Sequence, residues 1–300
     1  MAAARQARAW PPRARRVLAA AASRVHGRRR QPLPGCRRQA LPGLRQALHG
    51  LLQVSPTMSA RTAHIQLVRF HPEVYEPCDD SFALVDALLA DRKHLIEQRP
   101  RLCMEVGCGS GYVISSLAIM LSELGNGVNY FATDINQDAA EATRATLEAH
   151  GLHAEIVVTD IASGLQKNLA GMVDVVVVNP PYVPTSEEEI GCKGITASWA
   201  GGYSGRSVID RILPVADELL SQKGWLYMVT LTANNPSQIC RLMKQKGYAS
   251  RIIVQRSTEE ESLHVIKFWR DVAPDRSKGS DSWFSQFPLK SFWQNSESND

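Results

Sequence analysis

The strongest chemical signal in the sequence is the run Asn179-Pro180-Pro181-Tyr182, which directly follows the apolar stretch 173–178. Two prolines cannot extend a β-strand, so they predict a rigid turn where the strand ends. The amide oxygen of Asn179 and the carbonyl oxygen of Pro180 can both accept hydrogen bonds, and the Tyr182 ring can stack on a flat group. The run could therefore hold a planar NH2 group, as in a carboxamide or an adenine, and help its nitrogen become nucleophilic. A proline-stiffened loop is the structural alternative.

A glycine-rich segment lies upstream and contains Glu105, Gly107, Gly109 and Gly111. Glycines at alternate positions let the backbone turn sharply and approach a ligand closely. The dinucleotide fingerprint requires a glycine where this sequence has Tyr112, and the Gly-Lys-Ser/Thr signature of a phosphate loop is missing too. The segment therefore predicts a ligand without a pyrophosphate. Glu105 could bind a cationic amino group of that ligand.

Acidic residues follow two further predicted strands. Asp134 comes after the second strand, where a carboxylate can accept hydrogen bonds from both hydroxyls of a ribose; it could also cap the next helix. Asp160 follows the third strand and is placed to meet the amino group of an adenine, while Ile161 offers a backbone amide and an apolar wall. Single carboxylates are more often structural, but acids after successive strands together predict a nucleoside site.

The elements that must position these residues alternate between strand and helix patterns. Such alternation predicts an α/β fold with a mainly parallel sheet and helices on both faces. Right-handed crossovers place the carboxyl ends of the parallel strands at one edge, where ligands bind. The last two strands could form a hairpin, and Asp80 or Ser81 could cap the first helix. The predicted strands are 102–106, 128–133, 154–159, 173–178, 225–230, 251–255 and 263–269, and the helices after the first are 112–124, 137–150, 206–220 and 236–246.

The charge of the chain is divided unevenly along its length. The net charge of +4 comes from 34 basic and 30 acidic residues. Residues 1–57 contain 12 arginines and no lysine or acid, which leaves 22 basic and 30 acidic residues for 58–300. The part with a folding pattern is therefore acidic, which argues against a general nucleic-acid binder.

The remaining composition places further bounds on the class of protein. No stretch reaches the roughly 18 consecutive apolar residues of a membrane-spanning helix, so no membrane association is expected. The six cysteines form no CxxC pair, which favours reduced thiols over disulfides. The eight histidines do not cluster with them at ligand spacing, so no metal site is expected.

The composition also predicts three regions. Residues 1–57 form a basic Arg-, Ala- and Pro-rich leader that should not pack into a core. It resembles a transit peptide, or is translated upstream sequence, or is a basic tail of the protein. Residues 58–270 form one catalytic domain. Residues 271–300 are rich in serine and should be disordered.

Taken together, the glycine segment, the two acids after strands and the NPPY run resemble class I S-adenosylmethionine-dependent methyltransferases. NPPY is shared by methyltransferases that act on adenine N6 or on glutamine side chains. The segments 74–81 (VYEPCDDS) and 200–206 (AGGYSGR) are similar to the eukaryotic and archaeal branch of the HemK family, the glutamine methyltransferases of translation release factors. The resemblance covers about 58–269 and implies a seven-stranded Rossmann-like sheet with a C-terminal antiparallel hairpin.

The resemblance also implies residue roles and partners. Ser81 would lie near the methionine carboxylate of S-adenosylmethionine, with Tyr75 close by. The run from Asn179 to Tyr182 would hold the substrate amide, with Asn179 also near the cofactor. A small zinc-binding activator protein would pair with the catalytic chain, and the edge strand 154–159 could accept a strand from it. The remaining cofactor contacts would be Glu105, Gly107, Gly109, Gly111, Asp134, Asp160 and Ile161.

The expected function is therefore methylation of the glutamine side-chain amide in the Gly-Gly-Gln motif of the cytosolic class I release factor. The first alternative, adenine-N6 methylation of DNA, needs a basic groove that the acidic domain does not offer. The second is methylation of histone lysine, whose nitrogen is not planar. A non-catalytic scaffold is the third, and the intact motifs argue against it. We expect the protein in the cytoplasm, with the nucleus left open as a second location, or in an organelle if 1–57 is a transit peptide.

Overall fold

The computed structural model describes residues 62–191, 194–257 and 262–271. The predicted leader 1–57 lies outside these residues, and so does the predicted tail beyond residue 271. Within the described residues, no helix has the length and apolar character needed to cross a bilayer.

The fold is built on one seven-stranded sheet with the strand order β3-β2-β1-β4-β5-β7-β6. Strands β1 to β5 are parallel to one another, whereas β7 runs antiparallel to both β5 and β6. This arrangement confirms the predicted class I methyltransferase sheet with an antiparallel C-terminal pair. The strands are β1 Leu102–Val106, β2 Asn129–Asp134, β3 Glu155–Val158, β4 Val173–Val178, β5 Leu220–Leu231, β6 Tyr248–Ser257 and β7 Ser262–Arg270.

Helices connect the strands and mostly match the predicted segments. Gly151 and Gly247 follow the helices of the second and last crossovers, as predicted, and both have positive φ angles. The helices are α1 Asp79–Ala90, α2 Arg92–Gln98, α3 Tyr112–Met120, α4 Gln137–Ala149, α5 Gln166–Leu169, α6 Ser207–Leu219 and α7 Pro236–Gln245, and the short 3-10 turns are Ile65–Leu67, Ser122–Gly127, Glu187–Glu189, Gly194–Ser198 and Thr232–Asn234.

Two helix ends differ from the predictions by more than one residue. The N-cap of α1 is Cys78, so Asp80 and Ser81 lie in the first turn and do not cap the helix. Helix α3 ends at Met120, four residues earlier than expected. The chain then forms a 3-10 turn in which Gly125 has a φ of 66°, a left-handed angle that a continuing α-helix cannot contain.

The core is centred on β4, which the sequence predicted to be a buried central strand. All six of its side chains are buried, and the strand lies between β1 and β5. Because β1 is parallel to both β2 and β4, Val106 is in register with Thr133 and with Val178. The segments that follow these three strands must therefore leave the sheet at the same edge.

Candidate functional site

A single cleft lies at the edge of the sheet where β1, β2 and β4 end. Its wall brings together residues that are far apart in the sequence, as the parallel topology requires. Of the 13 predicted site residues, 11 line this cleft. They are Tyr75, Ser81, Glu105, Gly107, Gly109, Asp134, Asp160, Ile161, Asn179, Pro180 and Pro181.

The loop after β1 is tied to the end of β2 by backbone hydrogen bonds. The amides of Gly107 and Cys108 both donate to the carbonyl oxygen of Thr133, at 2.8 and 2.9 Å. The amide of Gly109 donates to Asp134 Oδ2 at 2.9 Å. The loop amides are therefore used largely to fix the shape of the loop beside the cleft.

Asp134 links this loop to the start of α4. Its second oxygen, Oδ1, accepts a hydrogen bond from the amide of Asn136 at 2.9 Å. Asn136 itself is the N-cap of α4, because its side chain accepts from the amide of Asp138. Asp134 is therefore not the cap of this helix. Burial raises the pKa of Asp134, although the backbone hydrogen bonds oppose that shift.

The three glycines of the loop have different surroundings although all have positive φ angles. A Cβ atom built on Gly107 or Gly109 would meet no atom within 4 Å, so both positions face open space beside the cleft. A Cβ atom on Gly111 would lie 2.8 Å from the Cα atom of Thr143 in α4. Gly111 does not line the cleft. Its position requires glycine because α3 and α4 approach each other closely there.

Glu105, the penultimate residue of β1, is a buried carboxylate with only 2% of the residue exposed. Its Oε2 atom accepts a hydrogen bond from the amide of Ile114, at 2.8 Å, and so holds the first turn of α3. Burial raises the pKa of Glu105 well above its ordinary value. A cationic group in the cleft would offset the cost of a buried negative charge at this position.

Asp160 and Ile161 form the wall of the cleft after β3. Asp160 is half-exposed, and its Oδ2 atom forms an ion pair with Arg211 of α6. Ile161 has a φ of 55°, which is unusual for a β-branched residue and costs roughly 1–3 kcal/mol. A hydrogen bond of 2.6 Å from Thr133 Oγ1 to the carbonyl oxygen of Ile161 helps to hold this backbone conformation.

Asn179 presents the most informative polar atom of the cleft. Its Oδ1 atom is buried, and no described residue donates a hydrogen bond to it. A buried acceptor without a donor is rare because its desolvation costs about 1–3 kcal/mol. Two prolines follow directly, so the backbone that carries Asn179 cannot rotate freely at Pro180 and Pro181. The site is therefore prepared to receive a donor such as an amide NH2 group.

Tyr182 does not line the cleft, in contrast to the stacking role expected from the sequence. The residue is only 5% exposed. Its hydroxyl group donates to Asp80 Oδ2 at 2.8 Å, and its carbonyl oxygen accepts from Asn234 Nδ2, also at 2.8 Å. Tyr182 thus anchors the end of the NPPY run in the protein, while Asn179 and the prolines face the cleft.

Several residues of the site were missed by the sequence analysis. Asp80 lies in the VYEPCDDS segment, but an acid in the first turn of a helix usually faces solvent. Asn234 precedes Asn235 and Pro236, a pattern that only indicates a helix start. The cleft wall also contains residues with no chemical signature of their own, which are Glu73, Asn136, Gly194, Ile195, Ala197 and Ser198.

Comparisons with known proteins identify relatives of this chain. The family model described as Methyltransferase small domain matches residues 81–195. The chain is similar to Methyltransferase HEMK2 of Mus musculus, with 44% identity over 196 residues, covering 65% of this chain and 89% of that protein. It is 34% identical to the eRF1 methyltransferase catalytic subunit mtq2 of Schizosaccharomyces pombe, covering 70% of this chain and 94% of the relative.

Among solved structures, the chain is similar to the E. cuniculi Mtq2–Trm112 complex, described as responsible for the methylation of the eRF1 translation termination factor. The identity is 31%, and the match covers 66% of this chain and 99% of that chain with a TM-score of 0.47. The mouse and Schizosaccharomyces pombe relatives are 44% and 34% identical to this chain, and the matches cover 89% and 94% of their lengths. The chain therefore belongs to the HEMK2/Mtq2 family of methyltransferases.

Proposed function

We propose that this protein transfers a methyl group from S-adenosylmethionine to the side-chain amide nitrogen of a glutamine in a class I translation release factor. The observation that carries the proposal is the buried Asn179 Oδ1 atom, which accepts no hydrogen bond from the described residues. A primary amide has two N–H donors in one plane, which suits Asn179 Oδ1 and the carbonyl oxygen of Pro180.

The chemistry of the cleft also suits the cofactor. Gly107 and Gly109 leave room for a ligand against the backbone, Asp134 can accept hydrogen bonds from ribose hydroxyls, and Asp160 and Ile161 would contact the adenine. Glu105 offers a buried negative charge for a cationic group. Tyr75 and Ser81 complete the wall towards α1, where they would meet the methionine end.

The mechanism requires accurate positioning more than acid–base chemistry. The bound cofactor supplies a methyl group that its sulfonium centre already activates. Asn179 and Pro180 would accept hydrogen bonds from the two N–H groups of the substrate amide, which favours pyramidal geometry at the nitrogen and points its lone pair at the methyl group. The new N–C bond would form as the S–C bond breaks, and one of the two amide protons would then leave the nitrogen. Holding two reactants in line in this way accounts for a large part of a rate enhancement.

Two features favour glutamine over lysine and DNA as the substrate: the hydrogen-bond acceptors of Asn179 and Pro180, and the negative charge of the folded part of the chain. The nitrogen of a lysine side chain is not planar, so two fixed acceptors in one plane give it no special stabilisation. DNA would approach a domain in which residues 58–300 contain 22 basic and 30 acidic residues, and a polyanion is repelled by such a balance. The relatives named for eRF1 methylation support a release factor as the protein that carries the glutamine.

We also propose that an activator subunit related to Trm112 docks on the β3 edge of the sheet. Strand β3 is the outermost strand beside β2, and an open strand edge can pair with a strand of another chain. An apolar side chain of this strand, Val158, is 51% exposed. The relative from Schizosaccharomyces pombe is named as a catalytic subunit, and the E. cuniculi relative was solved as an Mtq2–Trm112 complex.

The Asn179→Ala variant tests the proposed role of the acceptor. Together with the activator, it should bind S-adenosylmethionine with an affinity close to wild type and lose at least about a hundredfold in transfer to the release factor, as for other positioned polar groups. Asn129→Ala is the matched control, because Asn129 is the first residue of β2 and so lies at the end of that strand away from the cleft. Normal turnover by Asn179→Ala would contradict the proposal.

A further inference from the structure

Asp80 is a buried carboxylate that receives hydrogen bonds from both sides of the cleft. Only 2% of the residue is exposed. Its Oδ2 atom accepts from the hydroxyl groups of Tyr182 at 2.8 Å and of Tyr75 at 3.1 Å. Its Oδ1 atom accepts from the amide of Ser81 at 2.6 Å and from the Ser81 hydroxyl at 3.2 Å. Cys78 Sγ donates to the same oxygen at 3.3 Å.

These donors belong to two different parts of the proposed site. Tyr75 and Ser81 lie on the wall where the cofactor would bind, whereas Tyr182 ends the run that would hold the substrate amide. Tyr182 and Asp80 are 102 residues apart in the sequence. The carboxylate of Asp80 is therefore a direct link between the cofactor side and the substrate side of the cleft.

We propose that Asp80 is a positioning residue that fixes the NPPY run relative to the cofactor, acting through the hydroxyl group of Tyr182. This inference rests on the proposed methyl transfer. The carbonyl oxygen of Tyr182 accepts a hydrogen bond from Asn234, and Asp80 supplies a second anchor at the hydroxyl group, without which the whole residue could rotate about the first.

The covalent connection from Tyr182 to the acceptors is short and stiff. Only Pro180 and Pro181 separate Tyr182 from Asn179, and the φ angle of each proline is fixed by its ring. A rotation of Tyr182 would therefore be passed to the Pro180 carbonyl and to Asn179 with little relaxation. An error of about 1 Å in the position of a reacting group can cost on the order of a hundredfold in rate.

The state of the tyrosines is consistent with this arrangement. Burial, followed by the charge of Asp80, raises the pKa of both Tyr75 and Tyr182. Both hydroxyl groups therefore keep their protons and can donate to the carboxylate. Asp80 also lies in the first turn of α1, where the helix dipole favours a negative charge.

A double-mutant cycle with Tyr182→Phe and Asp80→Asn tests the inference. If Asp80 acts through the Tyr182 hydroxyl, each single variant should lower kcat by on the order of tenfold, which corresponds to about 1.4 kcal/mol. The double variant should be no slower than the slower single variant. In Tyr182→Phe, the KM for the release factor and the calorimetric affinity for S-adenosylmethionine should each change by less than about twofold. The reason is that Tyr182 does not line the cleft where the substrate amide and the cofactor would bind.

The controls separate this inference from the proposed function. Asp79→Asn changes the adjacent acid in the same helical turn and should retain wild-type kcat. No transfer by the wild-type protein with its activator would refute the proposed function. With an active wild type, multiplicative losses in the double variant would refute coupling between Asp80 and the Tyr182 hydroxyl. If Asp80→Asn does not fold, Tyr182→Phe alone decides, and an unchanged kcat in that variant overturns the inference.

Discussion

Gly107 and Gly111 have nearly the same positive φ angles, 75° and 77°, but their surroundings differ, so substitution by alanine should damage them in different ways. At both positions the left-handed conformation costs an alanine roughly 1–2 kcal/mol. At Gly107 the new methyl group meets no atom of the described protein within 4 Å. At Gly111 it would lie 2.8 Å from Thr143 Cα, a backbone atom of α4 that cannot move without shifting the helix.

The contact at Thr143 sets the difference between the two variants. Overpacking of this kind typically costs about 1–3 kcal/mol, in addition to the shared cost of the backbone conformation. We therefore expect Gly111→Ala to lose roughly 2–5 kcal/mol of folding stability, and Gly107→Ala roughly 1–2 kcal/mol. For a domain of this size each 1 kcal/mol lowers the melting temperature by about 2–4 °C.

Thermal unfolding without ligand, followed by calorimetric titration with S-adenosylmethionine below the transition, measures both effects. Gly107→Ala should lose about five- to hundredfold in cofactor affinity, because its methyl group would occupy ligand space. Gly111→Ala should melt at a clearly lower temperature than Gly107→Ala and lose less affinity. Equal melting temperatures, or a greater affinity loss in Gly111→Ala, would refute the assignment of Gly111 to helix packing.

Three further outcomes are expected. Burial raises the pKa of Glu105, so ionisation of this carboxyl destabilises the fold as the pH rises from about 4.5 through the raised pKa. Glu105→Gln should therefore have a higher melting temperature than wild type at about pH 8, and it should bind the cofactor more weakly. Equal melting temperatures would contradict the proposed cost of the buried charge. Asn234→Asp removes the amide donor to Tyr182 but keeps the acceptor for the Leu231 amide; it should lose about 3 kcal/mol in urea unfolding, whereas Asn235→Asp should change stability by less than about 0.5 kcal/mol. Val158→Lys should weaken activator binding at least about tenfold in calorimetry while retaining cofactor binding, and unchanged activator affinity would move the interface elsewhere.

Much of the fold was predictable because local patterns agree with the tertiary structure. The five valines of β4 indicate a strand buried on both faces, and the structure buries all of them together with Asp174. Glycines after helices and strands mark the chain reversals. Helix α2 was missed because it is short and polar, with Leu95 as its only buried residue. Its position is set by packing against the rest of the domain, which no local pattern reports.

The site was predictable to the extent that topology decides it. A residue at or just beyond the carboxyl end of a parallel strand must lie near the ligand edge, and this alone places Glu105, Asp134, Asp160 and Asn179 around one cleft. The direction of each side chain is a different matter. Tyr182 turns away from the cleft because Asp80 and Asn234, which come from distant parts of the sequence, satisfy its polar atoms.

The central claim is that Asn179 and Pro180 hold a glutamine amide for methyl transfer. The most direct test incubates the full chain and its activator with isotopically labelled S-adenosylmethionine, offering release factor, histone and DNA in the same series. Fragmentation mass spectrometry then locates the label. The account predicts one methyl group on the side-chain nitrogen of the glutamine in the Gly-Gly-Gln motif, and its loss in Asn179→Ala. Label on a lysine nitrogen or on adenine, with an unmodified glutamine, would contradict it.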